Sequence, residues 1–423
     1  MLKQLFRDSA VYTVATLLTT GLSFVLLPIY ARVLTPAEYG LFDYVTVVGL
    51  LVGVTVALEV AQGMMYFVTQ EKDATVRARL IAAGFWVHVV TYLAFSAVAV
   101  AFSSWIADHL LGTGADHWLV TFSALQFFAV ALVRLWTVVE RSLLRPWRVV
   151  RISVGSAALA GVLGALGALS WGVTGLMAGQ FVGQGVVAVV LVVLYRRQVM
   201  RRVGSDVVRK LLSFSAPLVF SSVAFLLATY VDRLLVKQML GLKELGYYGL
   251  GARIASGVTL LLVGFQSALG PLIYSSLDRE GVHEDVARAF RMFAAVAGAA
   301  LLVLMLTAPL IVQVAGGEEY ARAVPVLRLL AAAALIQGSY IFFPGLYIAR
   351  KTGTLALVHC LGVALIAGLN IVLIPRWELV GSGIATLVGA AAIFGMNAVL
   401  AQRYFRVPVF RRSSATRSAA TNE

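Results

Sequence analysis

The chain has 423 residues, of which 60% are hydrophobic and only 13% charged, and its formal net charge is +14. Soluble chains carry about a quarter charged residues, so this composition excludes a water-soluble globular protein and describes an integral membrane protein, as the mean hydropathy of +0.90 also indicates. A basic excess can mark nucleic-acid binding, but here the basic residues fall in short stretches between apolar runs, which is the pattern of membrane topology, and no nucleic-acid partner is expected.

The N-terminal stretch MLKQLFRDSAVYTVATLL begins like a secretory signal. No small-residue cleavage site closes its apolar run, which continues to about Leu34, so it reads as a retained first helix. It opens a series of twelve segments with the roughly 20 apolar residues that a bilayer core requires. They cover 9–34, 41–67, 80–103, 118–139, 148–169, 172–195, 211–239, 247–273, 288–314, 324–348, 354–374 and 379–402. They are too long for strands and lack period-two alternation. Only Ser170 to Gly172 separate the fifth from the sixth.

With the N-terminus placed inside the cell, twenty-five basic residues fall in inside gaps, and only Lys243, Arg322 and Arg376 fall outside. This bias predicts that both termini are cytoplasmic and that the number of spans is even. The longest loop, 196–210, is too short for a folded domain. The expected organisation is a six-helix lobe over 1–195, a basic cytoplasmic linker over 196–210, a second six-helix lobe over 211–402, and a disordered basic tail over 403–423.

The stretch LLPIYARVLTPAEYGLFDY (26–44) has a fainter copy, LVKQMLGLKELGYYGL (235–250). Leu34, Glu38, Gly40 and Phe42 match Leu240, Glu244, Gly246 and Tyr248 at a constant offset of 206. The same offset maps Arg145 to Lys351, Gly175 to Gly381, and Val182-Gly183 to Val388-Gly389. Six helices per half is an even number, so the two halves share one orientation and form a parallel repeat. Two such bundles are expected to enclose a central cavity and to alternate its access.

Glu59, Arg134, Asp232, Arg233, Lys237 and Arg253 lie within predicted spans. Each charge at a helix centre costs roughly 2.5–3.5 kcal/mol when exposed to lipid, so these six must face protein or water. Arg233 and Lys237 share a helix face at i,i+4, and Asp232 adjoins them, which suits either an internal salt bridge or a site. The cationic excess of this set favours an anionic substrate. Arg32, four residues after the kinking Pro28, either reaches the outer interface or joins the site. Glu59 with Gln62 and Tyr66 forms a polar stripe on the second helix, and it is either a proton-exchanging carboxyl or the partner of an arginine. Arg134, in FFAVALVRLW, is either a packing partner for Glu140 or Glu59, or a ligand contact. The two acids, Glu59 and Asp232, are thus candidates for ion coupling or for structural pairing. The five histidines are scattered without metal-ligand spacing, and the single Cys360 lies in an apolar stretch and reads as packing. No catalytic motif, phosphate loop or soluble domain is present, so neither an enzyme nor a cofactor is expected.

The 26–44 stretch resembles the first-loop signature of the polysaccharide transporter family, the Wzx-like O-antigen flippases of the multidrug/oligosaccharidyl-lipid/polysaccharide (MOP) superfamily. ATYVDRLLVKQMLGLKELGYYGLGARIA (228–255) resembles the matching region of that family's seventh and eighth helices, and NIVLIPRWELVGSGIAT, from Asn370, resembles its last hairpin. The resemblance covers about residues 3–402. It implies an all-α polytopic membrane protein of two six-helix lobes around a cavity. It also implies translocation of undecaprenyl-pyrophosphate-linked oligosaccharide from the cytoplasmic to the periplasmic leaflet of the bacterial inner membrane, with ion coupling. The expected partners are the lipid-linked oligosaccharide, membrane lipids and glycan polymerase machinery. By motif position the resemblance assigns Asp232, Arg233 and Arg253, with Arg32 as the first-half counterpart. The desolvation argument adds Lys237, Glu59 and Arg134. The rival readings are a cation-coupled multidrug exporter of the same fold, which would carry acids for cationic drugs, and a lipid II flippase. On the flippase reading the Glu-x-Gly turns are expected to shape an outer gate.

Overall fold

The computed structural model describes residues 2–112, 116–262, 265 and 281–408. These residues are almost entirely helical, with no strand among them. The main helices are α1 (Leu2–Val33), α2 (Pro36–Thr55), α3 (Val60–Gln70), α4 (Ala74–Ala101), α5 (His117–Ser142), α6 (Pro146–Leu194), α7 (Ser205–Leu240), α8 (Leu242–Ala255), α9 (Val282–Gly316), α10 (Ala323–Gly338) and α11 (Thr352–Ala401). Among the described residues, nine helices are long and apolar enough to cross a membrane. Two of the nine, α6 and α11, are each a pair of spans folded back at a kink, at Trp171-Gly172 and at Glu378. The eighth predicted span starts as α8 and runs on into residues outside the described set. Hydrocarbon supplies no hydrogen-bond partner, so each apolar run folds into the one open structure that satisfies its own backbone.

The chain forms two compact units, residues 1–230 and 231–423. Helix α7 starts at Ser205, inside the stretch expected to be a linker, and contains the division between the units. The tail beyond residue 408 lies outside the described residues.

In the first unit α6 packs against both α1 and α5, and α4 packs on α5. Trp136 is fully buried and stacks on Tyr195, with ring centroids 4.3 Å apart. Beside it the Glu140 side chain is fully buried. It accepts a hydrogen bond from the Tyr195 hydroxyl and faces the Arg145 and Arg148 guanidinium groups at 3.7 and 3.6 Å. In the second unit α10 packs against α8 and α11, over a core in which Phe293, Phe342 and Phe343 are buried.

The repeat is written into the backbone. Leu144 and Arg350, 206 apart, both take left-handed φ (54° and 53°) at the turn before α6 and α11. Gly172 and Glu378, also 206 apart, share φ/ψ near 52°/−140° and 49°/−129°. Helix α2 follows its N-cap Thr35 and α8 follows its N-cap Gly241, again at equivalent positions. Both glycine matches seen in the sequence are points of close approach between hairpin arms. A Cβ at Gly175 would lie 2.0 Å from the Gly167 carbonyl oxygen, and one at Gly381 would lie 2.3 Å from that of Leu373. A Cβ at Gly183 would collide with the Ala160 backbone, and one at Gly389 with the equivalent Ile366. The two hairpins therefore share one register.

Two expectations need correction. The span predicted over 41–67 is interrupted between Thr55 and Val60, where Leu58 and Glu59 adopt left-handed backbone without glycine or proline. Cys360 is exposed rather than packed. The close-approach glycines give a test. Gly175→Ala and Gly381→Ala are each expected to cost about 1–3 kcal/mol through overpacking, seen as a lower midpoint of thermal unfolding in detergent. Gly298→Ala, whose Cβ would meet nothing within 4 Å, should leave the midpoint unchanged.

Candidate functional site

Four of the seven candidate residues lie on α7 and α8 of the second unit. The Asp232 carboxylate accepts a hydrogen bond from the Tyr248 hydroxyl of α8 and another from the Arg233 backbone N–H at 2.7 Å. The first of these contacts fixes the register of α7 on α8. From it, Lys237 lies about 7.5 Å further along α7, and Arg253 lies a similar distance further along α8 in the opposite direction. Arg233, Lys237 and Arg253 are all partly buried. They are thus staggered along one helix pair rather than gathered at a point. Arg253 is turned roughly 140° around α8 from Tyr248, away from the Asp232 contact.

What gathers around Asp232 is oxygen. Ser382 and Thr386, one turn apart on α11, place their hydroxyls beside that of Tyr248. The arm pairing of Leu373 with Gly381 and of Ile366 with Gly389 sets Asn370 opposite Ala385, at the same level. Asn370 and Ser382 are fully buried. The Asn370 Nδ2 donates to the Ile366 carbonyl at 2.8 Å. Its Oδ1, the Ser382 Oγ and the Thr386 Oγ1 accept nothing among the described residues. Buried oxygens left in this state are uncommon and call for a ligand, an ion or water. Tyr248, Asn370, Ser382 and Thr386 were not among the residues singled out from the sequence. Their only signal was polar spacing at i,i+4 on an otherwise apolar span. The equivalent place in the first unit holds neutral groups: the Tyr30 hydroxyl donates to the Gly161 carbonyl at 3.1 Å, and the Gln126 Nε2 donates to the Gln180 Oε1 at 3.3 Å.

The other three candidates lie in the first unit. Arg32 is exposed in the last turn of α1. Arg134 is exposed on α5, and its charge reaches His88 and Tyr92 of α4. It makes no ion pair with Glu140, whose partners are Tyr195, Arg145 and Arg148, and none with Glu59 among the described residues. Arg134 is exposed on α5, as are His117, Trp118 and Arg141, and of its two expected readings the pairing with Glu140 or Glu59 is not seen among the described residues. Glu59 is 7% exposed and sits at the break between α2 and α3 rather than within a continuous helical stripe. Sequence reasoning also passed over Asp43, which is 2% exposed on α2, and Arg328 of α10, whose Nε donates to the Met305 carbonyl at 3.0 Å.

The two Glu-x-Gly turns have different chemistry. Glu38 closes a capping box with Thr35, accepting its N–H at 2.9 Å and returning its own N–H to the Thr35 hydroxyl at 3.3 Å. The same carboxylate lies against Gly172, where a Cβ would come within 2.3 Å of it. In the second unit Glu378 occupies the place of Gly172 and brings a second carboxylate toward Glu244. Arg322 lies between the two and pairs with both.

A family profile described as polysaccharide biosynthesis protein matches residues 29–325. The chain belongs to this family. As a polysaccharide biosynthesis family member it has the fold of MOP superfamily transporters. It is similar to the lipid II flippase MurJ in an inward closed conformation, with a TM-score of 0.74 at 12% identity over 92% of this chain and 87% of that one. It is similar to an inward-facing multidrug resistance MATE family transporter of the MOP superfamily, with a TM-score of 0.67 at 11% identity over 91% and 94%. It is also similar to a MOP superfamily transporter from Pyrococcus furiosus Vc1 (DSM3638), described with a binding pocket of reverse polarity, with a TM-score of 0.55 at 13% identity over 96% and 97%. At such identities the likeness is one of fold. No curated protein matches by sequence. Family and fold together make this a multi-pass membrane protein of the polysaccharide biosynthesis family with the fold seen in MOP superfamily transporters.

The Glu244–Arg322–Glu378 cluster of the family member yields a pH test. Burial holds the Glu244 carboxyl above its ordinary range, with Arg322 opposing the shift and Glu378 adding to it. A raised carboxyl pKa means that protonation favours the fold. The contribution is complete below the ordinary value of 4.5 and is lost as pH rises through the raised one. The melting midpoint of the native protein should therefore fall relative to that of Glu244→Gln as pH rises from below 4.5 to neutrality. A rise would mean that the Arg322 pairing outweighs burial.

Proposed function

We propose that this protein is a flippase for an isoprenoid-pyrophosphate-linked oligosaccharide, a repeat unit of O-antigen or exopolysaccharide. It moves this lipid from the cytoplasmic to the periplasmic leaflet of the bacterial inner membrane by alternating access, with both termini in the cytoplasm. The observation that carries the reading is the staggered set Lys237, Arg233 and Arg253 on α7 and α8, three cations partly buried within one pair of spans. Arg and Lys bind phosphate oxygens by charge-assisted hydrogen bonds, and Arg does so through a planar fork. A ladder of such groups lets a pyrophosphate pass from one to the next without being stripped of all its partners at once. The glycan needs no deep protein contact, because it stays hydrated. The polysaccharide biosynthesis family assignment supports a glycan-bearing cargo, and the printed description of MurJ as a lipid II flippase supports a lipid-linked one.

Transport is coupled, on this reading, to a small cation at the oxygen cluster of the second unit. One carboxylate, Asp232, stands with the Tyr248, Ser382 and Thr386 hydroxyls and the Asn370 amide oxygen. That donor set suits a hard monovalent ion, with its single charge balanced by one carboxylate.

The test is transfer of a labelled polyprenyl-pyrophosphate oligosaccharide between leaflets of proteoliposomes, with export of a cationic dye measured in parallel. Glycolipid transfer without dye export is the expected result. Arg233→Ala and Arg253→Ala should each slow transfer while leaving expression intact. Loss of a hydrogen bond to a charged group costs about 1.5–3 kcal/mol, so the slowing should be roughly ten- to hundredfold. Full activity in both variants would remove the cationic ladder from the mechanism. Dye export without lipid transfer would make the protein a multidrug exporter. Asp232→Asn should abolish the dependence of transfer on the cation gradient.

A further inference from the structure

Helix α5 ends and α6 begins within the stretch RSLLRPWRVVR (141–151), which holds four arginines and no acid. Only residues 143–145 separate the two spans. The turn therefore sits where both leave the hydrocarbon core, on the side that the charge bias assigns to the cytoplasm. The Arg145 N–H donates to the Glu140 carbonyl and the Leu144 N–H to the Arg141 carbonyl, both at 3.0 Å, which is the pairing of a Schellman turn. Its left-handed position, which glycine fills at least cost, is held by Leu144 at φ 54°. The Leu144 side chain is 72% exposed there, and Trp147 in the first turn of α6 is 60% exposed. Two large apolar side chains thus stand outward among arginines, an arrangement that water alone does not favour.

Behind this turn one buried acid holds two arginines. The Glu140 side chain is fully buried, and the Tyr195 hydroxyl donates to its Oε1. The Arg145 guanidinium faces Oε1 at 3.7 Å, and the Arg148 guanidinium faces Oε2 at 3.6 Å. Both distances exceed a hydrogen bond, and Oε2 accepts none among the described residues. The attraction therefore orients the two forks while leaving N–H groups of each for a further acceptor. Arg145 and Arg148 are 46% and 52% exposed, so part of each fork faces outward. Two planar forks side by side, set in place by a buried acid, suit the oxygens of a phosphate.

We propose that Arg145 and Arg148, positioned by Glu140, bind the phosphodiester headgroup of an anionic phospholipid of the bilayer, with its glycerol and acyl chains against Leu144 and Trp147. Two guanidinium groups and one carboxylate leave one net positive charge on the clamp. That matches the single negative charge of a phosphodiester rather than the higher charge of a pyrophosphate. A bare anion would leave Leu144 and Trp147 uncovered, and a zwitterionic lipid would forfeit the charge match. The second unit lacks the device. Its equivalent turn carries Arg350 and Lys351, but Leu346 stands in place of Glu140 and Gly353 in place of Trp147. The site stands whatever the cargo is.

The experiment uses the full-length protein purified in a neutral detergent. Native mass spectrometry counts bound ligand and thermal unfolding is followed during titration with four probes: phosphatidylglycerol, phosphatidylcholine, glycerol phosphate and farnesyl pyrophosphate. Phosphatidylglycerol should be retained and should raise the unfolding midpoint more than the other three. Arg145→Gln/Arg148→Gln should weaken its half-saturation roughly tenfold or more. Arg350→Gln/Lys351→Gln, which removes the same charge from the second-unit turn, should leave half-saturation unchanged. Glu140→Gln should weaken it with both arginines present, and Tyr195→Phe should do so less. An equal loss in the two double variants would reduce the effect to diffuse charge and overturn the clamp, as would unchanged binding in Arg145→Gln/Arg148→Gln. Equal retention of phosphatidylcholine, an equal effect of glycerol phosphate, or a larger effect of farnesyl pyrophosphate would each overturn the resident-lipid assignment. If Arg145→Gln/Arg148→Gln leaves Glu140 buried without a counter-charge and does not fold, adding Glu140→Gln restores neutrality and the triple variant takes its place. The comparison of the four probes on the native protein needs no variant. None of these readouts depends on glycolipid transfer, so this proposal and the flippase reading fail separately.

Discussion

The bilayer core offers no hydrogen-bond partner and no counter-charge, and every feature of this protein is arranged around that deficit. Helices satisfy the backbone along most of each span, so what matters is where they stop. Two of the stops, at Trp171-Gly172 and at Glu378, fall at hairpin tips between predicted spans, beside loops where water can take over. The third, between Thr55 and Val60, falls within a predicted span and leaves the carbonyls of Gly53, Val54 and Val56 without a backbone hydrogen bond among the described residues. The same rule sorts the charges. Glu140 is fully buried, with a tyrosine hydroxyl and two arginines beside it. Glu244 and Glu378 share Arg322. Glu59 has no such arrangement among the described residues, and that contrast makes it informative.

Duplication supplied the skeleton, and divergence supplied the chemistry. Turns and close approaches recur at an offset of 206 in backbone angle and arm register, while the side chains they carry do not. Where the first unit has Gly172 the second has Glu378, held at a φ of 49° that favours glycine. The second carboxylate and the strained backbone come as a pair with Arg322, which draws α8, α10 and the tip of the α11 hairpin together. Where the first unit sets Tyr30, Gln126 and Gln180, all neutral, the second sets Asp232 among hydroxyls. The two halves are alike as scaffolds and unlike as sites.

Much of this was legible in the residues alone, for reasons that can be stated. Apolar runs of span length, the basic gaps between them and the 206-residue echo define helices and their order, because hydrophobicity and close packing are read position by position. The broken second span was not legible. Thr55 to Glu59 contains no glycine or proline, so nothing in the local sequence announces the left-handed backbone of Leu58 and Glu59 beside Ala57, which packs with Tyr92 of α4 and Ala131 of α5. The oxygen cluster was missed because a serine, a threonine and an asparagine are ordinary residues in membrane helices until a hairpin register sets them against a carboxylate. Of the two readings of Arg134, the pairing with Glu140 or Glu59 is not seen, because Glu140 faces Tyr195 just past the end of α6, which sequence separation along α5 hides. The interior charge count also leaned more basic in the sequence than in the structure, where Asp43 and Glu140 prove buried.

Asp232 and Arg233 are neighbours in sequence, and on the flippase reading proposed above that adjacency would carry the coupling between cation and lipid. When a cation neutralises Asp232, the Arg233–Lys237 face presents its full charge to a phosphate. When the cation leaves, the Asp232 carboxylate repels the same phosphate across a few ångströms. Two unit charges about 6 Å apart, at an effective dielectric near 20, interact by roughly 3 kcal/mol, which is about a hundredfold in affinity. Linkage makes the effect reciprocal: a cation that tightens the hold on the headgroup is itself held tighter while the headgroup is bound. Charges placed side by side on one helix can therefore tie cation and lipid together without a relay through the rest of the fold. The arrangement keeps a partly buried acid next to partly buried bases on one helix.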